Sequence, residues 1–150
     1  MPRPPAVPSP AKPSLPAAES IVRGAERIVA LFGRFDLHDA DVRAMRLSLG
    51  EGNVPALEVD VDLAGASAQP PGKAEAGSDY RVTLRCTDVS QLSLADFGGQ
   101  NVVSSYTFAP DGVDAAGAEV VHVAITCAPG CDLDLRCTEV AVVAVARLGR

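Results

Sequence analysis

Lysine is nearly absent from this sequence, and basic side chains as a class are in the minority. Lys12 and Lys73 are the only lysines, and 13 lysines and arginines stand against 19 aspartates and glutamates, which gives a net charge of −6. Nucleic-acid binding depends on clustered basic side chains that neutralise phosphates. This composition therefore argues against a nucleic-acid partner.

Long apolar runs are also missing. No uninterrupted run approaches the roughly 18 residues that a membrane-spanning helix needs. The N-terminus lacks the apolar segment of roughly 7–15 residues that marks a secretory signal peptide. We therefore expect no membrane partner and a cytoplasmic location.

Proline is concentrated at the N-terminus, where residues 1–16 hold seven of the 12 prolines. Proline fixes φ and has no amide donor, so this segment cannot wind a helix or pair into a sheet. We expect residues 1–18 to form a Pro-rich disordered tail, with an SH3-type ligand as the alternative, and residues 19–150 to form a single domain. Without Arg3 and Lys12 that domain carries a charge of about −8.

The spacings that mark metal sites and catalytic sites are absent. Cys127 and Cys131 are four apart, no C-x2-C pair occurs, and His38 and His122 are the only histidines. Standard zinc sites combine two closely spaced ligand pairs, whereas here Cys137 lies six residues beyond Cys131 and His122 is the only nearby histidine. A cysteine nucleophile needs a neighbouring base. We predict reduced core cysteines, no metal, no cofactor and no enzymatic activity. A Cys127–Cys131 disulfide and a metal site remain the alternatives.

Apolar periodicity predicts one helix followed by strands. Helical spacing covers residues 20–32, with Ser20 as N-cap and Gly33 as the C-terminal stop. Two-residue alternation then dominates, with a bulge expected near Ala44 and Met45. The pattern predicts a mainly β protein with one N-terminal helix (α+β), an antiparallel sandwich or partly open barrel of seven or eight short strands. The predicted strands are residues 41–49, 56–63, 80–86, 92–97, 102–108, 121–125, 133–137 and 140–145.

Two groups of polar residues are candidates for a binding site. Glu58, Asp60 and Asp62 alternate with apolar residues and must share the outward face of one strand. A solvated strand face is the simpler interpretation, and an acidic binding patch is the functional one. Since exposed charges contribute little stability, we expect neutralisation of all three to leave the melting temperature nearly unchanged.

The second group, His38, Asp39 and Asp41, lies between the helix and the first long strand. A histidine flanked by carboxylates can act as a base or a metal ligand. The structural alternative, which we favour, is that His38 and Asp39 hydrogen-bond to the backbone and close the turn.

Several short motifs occur in a characteristic order. They are FDLHDADV at residues 35–42, YRVTLRC at 80–86, QNVV at 100–103, and then Gly130, Leu135 and Cys137. This order resembles the immunity protein 50 family of bacterial polymorphic toxin systems over residues 32–145. The sharpest matches are His38-Asp39-Ala40 and Gln100-Asn101-Val102. The lack of tryptophan, the Pro-rich tail and the loop at residues 64–79 depart from the family.

The resemblance implies a small cytosolic protein that binds and blocks a cognate toxin and has no catalytic residues. An acidic domain suits a basic toxin, because complementary potentials accelerate association. We take Glu58, Asp60, Asp62, His38, Asp39 and Asp41 as the predicted partner-binding residues. The alternative is a small-ligand-binding or structural β-sandwich without catalysis. A ligand binder would need polar side chains at inward strand positions, where this sequence has Val, Leu, Ile and Cys.

Overall fold

A computed structural model describes residues 2–5, 17–65, 72–75 and 77–148. Most of the predicted tail, residues 6–16, lies outside the described residues, as do residues 66–71 and 76 of the predicted loop. The elements are α1 (Ala18–Ile21), β1 (Val22–Arg23), α2 (Glu26–Phe32), β2 (Asp41–Leu49), a 3-10 turn (Glu51–Asn53), β3 (Pro55–Ala64), β4 (Asp79–Thr87), β5 (Ser90–Ala95), β6 (Val103–Val113), β7 (Glu119–Cys127), β8 (Asp132–Cys137) and β9 (Glu139–Leu148).

The strands form two sheets, which we call the first and second sheet. The first has five strands in the order β1-β9-β4-β3-β2, and the second has four in the order β5-β8-β7-β6. All pairs are antiparallel except β1 with β9. The described strands form no closed barrel, so the prediction of a mainly β sandwich is confirmed and the barrel alternative is not.

The prediction of one helix over residues 20–32 is wrong at residues 22–25, which separate α1 from α2, and Ser20 lies inside α1 rather than at its N-cap. Val22 pairs with Val140 of β9, and Gly24 follows at φ +81°, in the left-handed region that an α-helix cannot use. A Cβ on Gly24 would lie 3.2 Å from the carbonyl oxygen of Val142. The chain therefore leaves the helix to pack closely on β9 and resumes it at Glu26.

The predicted end of the helix is confirmed. Gly33 lies at φ 79° and its N–H donates to the carbonyl of Val29 at 2.8 Å. Glycine adopts this conformation without the steric cost that a Cβ imposes.

The predicted bulge in the first long strand is also confirmed, because the register of β2 against β3 shifts between Val42 and Ala44. Beyond the shift, Met45 lies opposite Val59 and Leu47 opposite Leu57. Arg46 faces outward opposite Glu58, and the bulged Arg43 contacts Asp41 and Asp62 on the same face.

One apolar core lies between the sheets, and α2 adds Ile28 and Phe32 to it. All four cysteines belong to this core or its edge and are free thiols. Cys127 and Cys131 have their Sγ atoms 3.6 Å apart, and both are buried. The cysteine residues thus behave as small apolar side chains.

Asn101 joins the two sheets at one corner of the sandwich. Asn101 is 2% exposed. Its side-chain amide nitrogen donates to the carbonyl of Gly98 at 2.8 Å and to that of Val42 at 3.4 Å. Its Oδ1 accepts from the N–H of Gly98 at 3.0 Å and from the N–H of Cys131 at 3.2 Å. A Cβ on Gly130 would approach the Cα of Asn101 to 2.6 Å. Asn101 and Gly130, two residues of the family resemblance, therefore have a structural role.

Candidate functional site

The outer face of the first sheet carries a ladder of oppositely charged side chains. In the strand register, Arg46 lies opposite Glu58, Glu58 opposite Arg85, and Asp62 opposite Arg81. Directly opposed residues of antiparallel strands share a face of the sheet, which brings these charges into contact. We call this set the polar ladder: Arg43, Arg46, Glu58, Asp60, Asp62, Arg81, Thr83 and Arg85.

Asp60 is the centre of the polar ladder. Arg46 donates two hydrogen bonds to its carboxylate, at 2.7 and 3.0 Å, and the hydroxyl of Thr83 donates a third at 2.7 Å. Asp60 is only 8% exposed. The hydrogen bond from Arg46, with that of Thr83, holds the pKa of Asp60 below its usual range.

The other two carboxylates of the row are paired in the same way. Asp62 accepts from Arg81 at 2.8 and 3.1 Å and lies 3.3 Å from Arg43. Glu58 accepts from Arg85 at 3.1 Å, with Arg46 at 3.9 Å. The predicted row does face outward, but the interpretation of an exposed acidic face is wrong, because each carboxylate is covered by at least one arginine.

Four aspartates lie close together where β2 begins. A hollow there, which we call the aspartate hollow, is lined by Asp39, Asp41, Arg43, Asp62, Ala64 and Asp79. Asp41 accepts from Arg43 at 2.9 Å, whereas Asp79 forms no ion pair within the described ranges. The structure thus brings together three predicted residues, Asp39, Asp41 and Asp62, and adds Asp79.

The turn at His38 is held by backbone bonds and by Asp36. The Asp36 carboxylate accepts from the N–H of His38 at 2.8 Å, and the N–H of Asp39 donates to Val103 O at 2.9 Å. The interpretation that this segment closes a turn by hydrogen bonds is therefore right. The side chain that accepts from the backbone is that of Asp36, however, and not that of His38 or Asp39. The side chains of His38 and Asp39 are left exposed and lie 3.1 Å apart.

The chemistry available at these residues is ionic and hydrogen-bonding. Among the residues that the structure describes, no group of three or more His, Cys, Asp or Glu side chains is placed to hold a metal ion. The hollow beside His38, lined also by Phe32, Arg34 and Leu63, has a volume of about 100 Å³. Small-molecule sites usually enclose roughly 300–1,000 Å³.

The four arginines of the polar ladder and Asp79 are functional candidates that the sequence analysis missed. The sequence did contain a signal for the arginines of β4. This strand follows β3, and its outward residues Arg81, Thr83 and Arg85 alternate with apolar residues as regularly as the carboxylates of β3 do. Pairing consecutive strands as neighbours would have predicted the ion pairs.

Comparison with known protein families identifies a match over most of the chain. The family model described as Immunity protein 50 matches residues 24–147, which is most of the chain. No curated protein and no solved structure matches. None of the helices described here is long and apolar enough to cross a bilayer.

Proposed function

The chain belongs to the immunity protein 50 family, and from this we propose that it binds and neutralises a cognate toxin in the bacterial cytoplasm. The family match over residues 24–147 is the observation that carries the proposal. The Asn101–Gly130 corner described above gives the resemblance a physical basis, because these residues fix the packing of the two sheets.

The proposal assigns neutralisation to binding, without catalysis. The carboxylates of the polar ladder are tied to arginines, which removes them as proton acceptors for a substrate. The lowered pKa of Asp60 keeps it ionised as an ion-pair partner rather than poised near neutral pH. A face whose side chains are already fixed by ion pairs is suited to docking against another protein, because fewer side chains must be ordered on binding.

We propose that the toxin docks over the outer face of the first sheet and its adjoining turn. This surface includes the six predicted residues Glu58, Asp60, Asp62, His38, Asp39 and Asp41. Their roles differ in this proposal. Asp60 holds the polar ladder together, whereas Asp39 and Asp79 give the aspartate hollow a negative potential that attracts a basic partner.

The experiment is co-expression with the product of the adjacent gene, which this proposal expects to be a toxin. We expect the full chain to restore growth of cells that express the toxin, and the purified pair to elute as one stoichiometric complex. Toxicity that persists together with separate elution of the two proteins would overturn the proposal.

The surface is tested by association kinetics with an inactivated form of that toxin. We expect Asp39→Asn combined with Asp79→Asn to slow association several-fold at low salt and less at high salt, since screening weakens steering. Glu119→Gln is a matched single-charge control, because Glu119 is exposed at the start of β7 in the second sheet. An unchanged low-salt association rate for the double variant would exclude the aspartate hollow as a steering site.

A further inference from the structure

Large apolar side chains are exposed along one edge of the sandwich. Leu47 is 60% and Leu49 67% exposed on β2, while Leu92 is 37%, Leu94 46% and Phe97 45% exposed on or just after β5. Both β2 and β5 are edge strands of their sheets. We call these five residues the leucine edge.

The two strands lie along the same edge of the molecule. The N–H of Val89, just before β5, donates to Pro55 O at 3.0 Å, and Pro55 is the register partner of Leu49 at the end of β2. After β5 the chain returns to the start of β2, where the N–H of Val42 donates to Asn101 O at 2.8 Å. β2 and β5 therefore run in opposite directions along one open side of the sandwich.

The exposed leucines belong to the inner faces of the sheets. Leu47 lies opposite the buried Leu57, and Leu94 lies opposite the buried Leu133. Register partners point to the same side, so Leu47 and Leu94 face the interior that the opposite sheet fails to cover at this edge. The leucine edge is therefore an extension of the core surface that remains open to solvent, a feature that marks interaction sites.

Carboxylates flank this apolar surface. Glu51 follows β2, Asp88 precedes β5 and Asp96 follows it, and all three are exposed. Within the described ranges none of the three forms a salt bridge, in contrast to the carboxylates of the polar ladder. An apolar centre with an unneutralised acidic rim is complementary to an apolar protrusion surrounded by lysine or arginine.

The edge strands are shaped against pairing with a further strand. β5 has a register shift between Ser90 and Ser93, with Gln91 at φ 52°, and β2 has its own shift after Val42. Bulges of this kind blunt edges against strand addition. A second copy of the chain is also disfavoured, because a symmetric contact would bring the same acidic rims together.

We propose that the leucine edge is the apolar anchor site for the toxin, whose contact surface is basic with one or more exposed apolar side chains at its centre. This inference rests on the proposed function and adds to the polar surface proposed above. β2 connects the two surfaces, since it carries Asp41 and Arg43 at one end and Leu47 and Leu49 at the other.

The test is the affinity of the inactivated adjacent-gene toxin for the full chain, two test variants and one control variant. We expect Leu47→Ser with Leu94→Ser to weaken binding about 30-fold or more, the effect of losing central anchors. Leu92→Lys should also weaken it, because it places a positive charge against a basic partner. Val113→Ser is the matched control, since Val113 is 66% exposed at the end of β6, opposite Glu119. Melting temperatures close to that of the wild type would establish that the variants are folded.

The outcomes separate this inference from the proposed function. If the wild type forms a complex and the double-serine variant binds with the same affinity, the leucine edge is not the anchor site. The proposed function would then still stand. Absence of any complex with the wild type would overturn both. A wild-type dimer in sedimentation that the serine variant abolishes would show that a second copy covers the edge, and would also overturn the inference.

Discussion

Arg46 and Asp60 form a two-pronged ion pair across β2 and β3, with nitrogen-to-oxygen distances of 2.7 and 3.0 Å. Thr83 donates to the same carboxylate from the other side, so three adjacent strands are joined at one acceptor. Asp60 is 8% exposed, and substitution by asparagine would keep one acceptor oxygen but replace the other with an NH2 donor that faces the guanidinium of Arg46.

We predict that Asp60→Asn lowers the free energy of unfolding by about 1–3 kcal/mol, the usual range for a hydrogen-bonded charged group. From the sequence alone we expected neutralisation of Glu58, Asp60 and Asp62 to leave stability nearly unchanged. The hydrogen bonds to Asp60 reverse that expectation for this residue. Urea unfolding measures the difference. Asp88→Asn is the control, because Asp88 is exposed and asparagine tolerates its φ of 59°. An equal effect of the two substitutions would contradict a structural role for the Asp60 ion pairs.

The pH dependence of stability follows from the same carboxylate. The folded-state pKa of Asp60 is lowered, first by its hydrogen bond from Arg46, so its contribution is present above the unfolded pKa of about 3.9. That contribution declines as pH falls through this value and is lost below the lower folded-state pKa. We expect the wild type to lose more stability than Asp60→Asn on acidification from pH 5 to about 2. Parallel pH profiles for the two proteins would contradict the prediction.

The fold was predictable where one physical signal dominates. The alternation around Val59 and Val61 indicated the inward face of β3, and Gly33 indicated the end of α2. The interruption between α1 and α2 was not predictable from helical spacing. Val22 satisfies that spacing, yet its pairing with Val140, more than a hundred residues away, determines its conformation.

The candidate site was predictable in its composition but not in its electrostatics. Alternation correctly turned Asp60 outward, whereas its neutralisation depends on Arg46 and Thr83 from two other strands. The leucine edge has a similar origin. Alternation placed Leu92 and Leu94 on one face of their strand, but only the position of β5 at the edge of its sheet leaves them exposed.

We predict that Asn101→Ala destabilises the fold by about 2–4 kcal/mol, because the N–H groups of Gly98 and Cys131 lose their acceptor in a buried corner. Gly130→Ala should have a comparable effect, since its φ of 123° and the 2.6 Å approach to Asn101 exclude a side chain. Thermal unfolding measures both changes. Gly99→Ala is the control, because a Cβ there meets no atom within 4 Å. Equal melting temperatures for all three variants would contradict the assigned role of this corner.

We predict that the four buried cysteines react slowly with thiol reagents in the native protein. Burial raises the pKa of Cys127 to about 12, and its neighbour Cys131 is fully buried. The hydrogen bond from Cys86 instead lowers the pKa of Cys137, although Cys137 is buried as well. Since the thiolate is the reactive form, a thiol reagent at pH 8 should label the native protein only as fast as it opens. In denaturant without reductant, all four thiols should react. Rapid labelling of the native protein would contradict the buried positions of the cysteines. Recovery of only two thiols in denaturant would show that a disulfide has formed. Cys127 and Cys131 would be the pair to examine first, because their sulfur atoms are 3.6 Å apart.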